Sequence, residues 1–115
     1  MATVSTHLLD SVTGKSAAGV RSQLFRIDAN SRRHLLFDVE TDEEGRIAEV
    51  IVLGSDAGCE FELVFHARDY FTSFSLGWES PVSCVVIRFA MDDDAKRYHL
   101  PVMLSPHSYS TWWSW

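Results

Sequence analysis

Arg97-Tyr98-His99-Leu100-Pro101-Val102-Met103-Leu104-Ser105-Pro106-His107-Ser108-Tyr109-Ser110-Thr111 is the stretch on which the reading of the chain turns. A β-strand sends successive side chains to opposite faces. Tyr98, Leu100, Val102 and Leu104 therefore fall on one side of an extended strand, and His99, Met103 and Ser105 on the other. Ser105-Pro106 supplies a tight reversal, and a second strand is expected from about His107 to the last residue, Trp115. The product is a hairpin with a histidine on one face near its start.

Outward from this hairpin the chain reads as short strands between turns. Strands are expected over Ser5 to Val12, Val20 to Ile27, His34 to Glu40 and Ile47 to Leu53, with turns at Thr13-Gly14-Lys15 and Thr41 to Arg46. Cys59, Phe61, Leu63 and Phe65 alternate with Glu60, Glu62 and His66, the pattern of a half-buried strand. Tyr70, Phe71 and Phe74 lie at helical spacing, so one short helix fits within Ala67 to Phe74. Ser75 to Ser80 reads as a loop carrying Trp78. The apolar run Val82 to Ala90, opened by Pro81, suits a strand buried on both faces. Eight short strands and at most one helix indicate an all-β sandwich.

At 115 residues the chain is expected to form a single domain, 1–115. Its net charge of −6 argues against a nucleic-acid backbone or an anionic membrane as partner. Asp92-Asp93-Asp94 accounts for half of that surplus and reads as a solvated turn without the spacing of a calcium loop. Cys59 and Cys84 match no metal or redox spacing; each falls in an apolar run, so buried thiols are expected, with a disulfide the lesser alternative. Met1 to Thr6 is not a signal peptide, and no stretch approaches the roughly 20 apolar residues of a membrane span. A soluble cytoplasmic protein acting on a small molecule is the expectation.

Three blocks carry more. The first is Ser5-Thr6-His7-Leu8-Leu9-Asp10 followed by Gly14-Lys15-Ser16-Ala17-Ala18-Gly19-Val20; the second is Gly45-Arg46, with Tyr70-Phe71 beyond it. The third is Tyr98-His99-Leu100-Pro101, Leu104-Ser105-Pro106 and Ser108-Tyr109-Ser110-Thr111. Together these resemble the 5-hydroxyisourate hydrolase family, the transthyretin-related enzymes of uric acid breakdown. The resemblance implies a transthyretin-like β-sandwich of two four-stranded sheets with one short helix. It also implies a homotetramer built as a dimer of dimers, with active sites in the channel between dimers and no metal or other cofactor.

Residue by residue, the resemblance assigns His7, Arg46 and His99 to catalysis. Opening a cyclic ureide by water requires a base, an acid for the leaving nitrogen and a cation near the developing oxyanion. Histidine titrates near neutrality and arginine keeps its charge, so these types suit those roles. Ser108, Tyr109, Thr111, Trp112, Trp113 and Trp115 are the expected substrate-binding residues. Alternation groups Tyr109, Thr111, Trp113 and Trp115 on one face, expected to line the channel near His7 and His99, with Trp112 on the other. The family ends Tyr-Arg-Gly-Ser, whereas this chain ends Trp112-Trp113-Ser114-Trp115. That exchange leaves two further readings open: a diverged paralogue acting on another substrate through a tryptophan-lined pocket, and a transthyretin-like carrier. His34, His66 and His107 read as surface or strand residues, and the five histidines show no zinc-ligand spacing.

Overall fold

The computed structural model describes residues 1–74 and 80–114. Among them the chain forms strands β1 (Ala2–Asp10), β2 (Lys15–Ser16), β3 (Arg21–Ile27), β4 (Arg33–Glu40), β5 (Arg46–Ile51), β6 (Glu60–Phe65), β7 (Val85–Ala90), β8 (Arg97–His99), β9 (Val102–Leu104) and β10 (Tyr109–Thr111). One helix, α1 (Ala67–Thr72), follows β6.

β1 is the axis of the first sheet. Along one edge it pairs antiparallel with β5 and then β2; along the other it runs parallel to β8 and then β9. β10 closes the sheet by pairing antiparallel with β9. The six segments thus lie in four ranks. β8 and β9 are one strand interrupted at Pro101, which lacks the N–H that a ladder needs. The register to β1 is the same on both sides of the break. Two threonines satisfy the carbonyls there: Thr6 Oγ1 donates to the Leu100 carbonyl at 2.6 Å and Thr111 Oγ1 to that of Pro101 at 2.9 Å.

The second sheet is antiparallel in the order β4-β3-β6-β7. Val4 and Leu8 from the first sheet meet Leu24, Phe61 and Phe65 from the second, all of them buried. Each such side chain contributes on the order of 1.5–3 kcal/mol by leaving water. Tyr70 and Phe71 dock α1 on this core, and Tyr70 donates its hydroxyl to Asp10 Oδ2 at 2.8 Å. Burial, reinforced by this carboxylate, raises the Tyr70 phenol above its usual value.

Several expectations change on contact with the structure. The first strand ends at Asp10 instead of Val12, because Asp10 Oδ1 accepts the Val12 backbone N–H at 2.8 Å and turns the chain. The last strand covers only Tyr109–Thr111. β6 is buried on both faces where a half-buried strand is expected: it is central in its sheet, and Glu62 is covered between Arg33 and Arg88. β7 shows the reverse. It is an edge strand, and Val86 on its outer face is 41% exposed, where burial on both sides is expected. Cys59 and Cys84 are free and only half-buried, since each precedes its strand instead of lying within it. The acidic turn is tied down: Asp94 Oδ1 accepts the Leu53 N–H, and the Tyr98 hydroxyl accepts those of Asp92 and Asp93. The loop expected around Trp78 lies outside the described residues.

Candidate active site

The even-numbered residues of β1, from Ala2 to Asp10, are buried in the sandwich. Thr3, Ser5, His7 and Leu9 must therefore face outward. Directly paired residues on neighbouring strands share a face. Arg46 is paired with His7, His99 with Ser5, Met103 with Leu9, and Ser110 with Met103. Three strands remote in sequence so deliver His7, Arg46 and His99 to one patch on the outer face of the first sheet.

The turn before β5 fixes Arg46. Asp42 Oδ1 accepts the backbone N–H groups of Glu44 and Arg46, each at 2.9 Å. Gly45 then adopts φ +73°, and its carbonyl accepts the Leu8 N–H at 2.8 Å. A Cβ at Gly45 would sit 2.4 Å from the Leu8 carbonyl oxygen, so both the left-handed backbone and the close approach require glycine.

His99 is held from behind. Ser5, 1% exposed, accepts the Arg97 Nε–H at 3.1 Å and lies 2.9 Å from His99 Nδ1. Its own buried hydroxyl hydrogen needs an acceptor, and His99 Nδ1 supplies one. The network thus assigns neutral His99 its proton on Nε2, with Nδ1 accepting from Ser5. Burial lowers the His99 pKa below the usual 6.5, and the positive fields of Arg97, Arg46 and His7 lower it further. His7 Nε2 lies 3.3 Å from Ser16 Oγ of β2. The patch therefore combines two histidines with two arginines, an arrangement suited to a carbonyl oxygen gaining charge.

The expected substrate-binding residues do not all arrive here. Tyr109 pairs with Leu104 and Thr111 with Val102, both core-facing, so these two lie on the side opposite His99. Ser110, between them, takes the histidine face. The alternation is as expected, but the two faces are exchanged. Ser108 and Tyr109 instead line an apolar cleft of about 350 Å³ with Phe71, Pro81 and Val85. Trp113, 58% exposed, borders a groove with Phe89, Tyr98 and Leu100, which face away from His99. Trp112 is 48% exposed, and Trp115 lies outside the described residues. Ser5, Arg97 and Ser110 are the site-face residues that the sequence reading misses. The available signal was the strand period: Ser5 and Arg97 each stand two residues before a candidate histidine.

The model of the HIUase/Transthyretin family matches residues 4–113. A protein of Mesorhizobium japonicum named 5-hydroxyisourate hydrolase is 41% identical over 113 residues, covering 95% of this chain and 89% of its own. The 5-hydroxyisourate hydrolase 2 of Rhizobium meliloti is 38% identical over 112 residues, covering 95% and 92%. The solved Klebsiella pneumoniae 5-hydroxyisourate hydrolase superposes with a TM-score of 0.80 at 29% identity, over the whole of both chains. With its two strand sheets, the short helix α1 and matching sequence blocks, the chain belongs to the HIUase/Transthyretin family.

Proposed function

We propose that the protein is a metal-free hydrolase that opens the ring of 5-hydroxyisourate, with His7, Arg46 and His99 as its catalytic residues. The observation that carries this reading is the register of β1, which sets Arg46 opposite His7 and His99 opposite Ser5 on one face. Its relatives' names supply the substrate.

In this mechanism His7 takes a proton from the attacking water as the oxygen bonds to a ring carbonyl. The carbonyl oxygen gains charge and is met by the Arg46 guanidinium and by His99 Nε2–H. A neutral histidine donating one hydrogen bond is a suitable partner there, and burial together with the nearby positive charges favours the neutral form of His99. The ring C–N bond then breaks, and His7 returns the proton to the leaving nitrogen. Protons balance, and His99 never leaves its neutral state.

The site face is open in one protomer, and a second protomer laid across it would exclude water. The proposed assembly is a homotetramer: dimers form through the edge of β7 and join through the terminal hairpins. A cytoplasmic location accompanies this reading. Among the described residues no helix is long and apolar enough to cross a membrane.

A second reading has its own support, from the ending. Alternation carried one residue past Ser110 and Thr111 returns Trp112 to the histidine face, where an indole favours a flatter, more apolar ring. Spectroscopic decay of freshly generated 5-hydroxyisourate separates the two. Acceleration by the parent chain and its loss in His99→Ala support the first reading; a parent no faster than buffer moves the site to another cyclic amide.

A further inference from the structure

Cys84 and His66 form a second polar cluster, on the outer face of the other sheet. Val64 of β6 pairs with Gln23 of β3 and Val86 of β7, and Gln23 pairs with Asp38 of β4. His66 and Cys84 stand two residues from Val64 and Val86, so strand alternation brings them to the same face. Cys84 Sγ lies 3.6 Å from His66 Nδ1. His66 Nε2 lies 2.7 Å from Gln23 Oε1.

The tautomer of His66 follows from the chain of partners behind it. Gln23 Nε2 donates to Asp38 Oδ2 at 3.1 Å, so its amide oxygen is the end turned to the imidazole. Arg21 fixes Asp38 from the far side with two hydrogen bonds, at 3.0 and 2.7 Å. These bonds hold the Asp38 carboxyl below its usual range. An amide oxygen only accepts, so His66 carries its hydrogen on Nε2 and presents a bare Nδ1 lone pair to the thiol. This is a nucleophile, a base and a residue that orients the base.

We propose that Cys84 is a modification site, a thiol activated by His66 and oriented through Gln23, that reacts with low-molecular-weight disulfides to form a mixed disulfide. The Cys84 S–H proton passes to His66 Nδ1, and the resulting thiolate attacks one sulfur of the disulfide. A new S–S bond forms as the old one breaks, and the departing thiolate takes the proton back from His66. One disulfide and one thiol are consumed, and one disulfide and one thiol are produced. Cys84 is half-buried and shares the outer face of the sheet with Val86, which is 41% exposed, so a small reagent has an approach across that face. The site lies on the opposite sheet from His7 and His99, and its chemistry stands apart from ring opening.

Cys59 provides an internal standard, because it is also free and half-buried. The test is treatment with oxidised glutathione at fixed pH, with mixed-disulfide formation at each cysteine followed by peptide mapping. Cys84 should react faster than Cys59, and His66→Asn should slow Cys84 by roughly 10²-fold, the usual contribution of a positioned base. Gln23→Leu, which leaves His66 in place without its orienting acceptor, should slow it by a smaller factor. The Cys59 rate should stay constant in both variants, which reports that they are folded. An unchanged Cys84 rate in folded His66→Asn, or a parent Cys84 no faster than Cys59, overturns the proposal. If His66→Asn also exposes Cys59, Gln23→Leu decides the matter on the same criterion.

Discussion

Ser5 gives its hydroxyl hydrogen to His99 Nδ1 across 2.9 Å while accepting the Arg97 Nε–H at 3.1 Å. One buried hydroxyl so fixes the ring nitrogen that bears the proton and the position of a neighbouring cation. Ser5→Ala removes both roles without adding volume. His99 is half-buried and Arg97 exposed, so the loss is that of ordinary hydrogen bonds, and stability should fall by about 0.5–1.5 kcal/mol. Turnover should fall through kcat with KM little changed, because the loss is in the donor to the transition state. A KM effect alone would place Ser5 outside the catalytic frame.

The lowered pKa of His99 has a defined sign in a stability profile. Burial, then Arg97, Arg46 and His7, depress it from the usual 6.5 in the folded state. Between the depressed value and 6.5 the unfolded chain binds more protons than the folded one. The contribution is therefore complete above pH 6.5 and is lost as pH falls through the folded value. Urea unfolding of the parent should show this decline, and His99→Gln should flatten it in that window. Parallel profiles would mean that His99 does not titrate differently on folding.

Gly45 is the hinge of the arginine. Gly45→Ala forces a Cβ against the Leu8 carbonyl oxygen at φ +73°. Backbone strain of this kind costs on the order of 1–3 kcal/mol. Thermal unfolding should occur at a lower temperature, and turnover should drop further than stability explains as Arg46 leaves its place opposite His7. A variant as active and as stable as the parent would show that the turn shifts freely.

The ending can be exchanged outright. Rebuilding residues 112–115 as Tyr-Arg-Gly-Ser exchanges indole faces for charge-assisted hydrogen bonds of roughly 1.5–3 kcal/mol each. On the first reading the parent is already fast and the rebuilt chain gains little. A gain of about tenfold to a hundredfold favours the second reading, in which the tryptophans have changed the substrate.

The sandwich was legible because it rests on local signals, alternation and turn residues, while His7, Arg46 and His99 stood out through three dense sequence blocks and the strand register sets them on one face. The facing of the last strand was not. Alternation groups Tyr109 with Thr111, but only the pairing of Tyr109 with Leu104 decides which side they take. The same limit hid the edge position of β7, whose apolar run resembles that of a central strand. Glu62 in β6 is the converse case: a charged residue reads as exposed until Arg33 and Arg88 close over it from other strands. The support of His99 by Ser5 likewise depends on a parallel pairing across most of the chain.

The most direct test measures the opening of freshly made 5-hydroxyisourate by the parent and by His7→Ala, Arg46→Ala and His99→Ala in parallel, with folding checked by circular dichroism. The account predicts a parent well above the spontaneous rate and three folded variants each slower by on the order of 10²-fold or more. Folded variants that turn over substrate at the parent rate would contradict it and remove the reaction from this face of the first sheet.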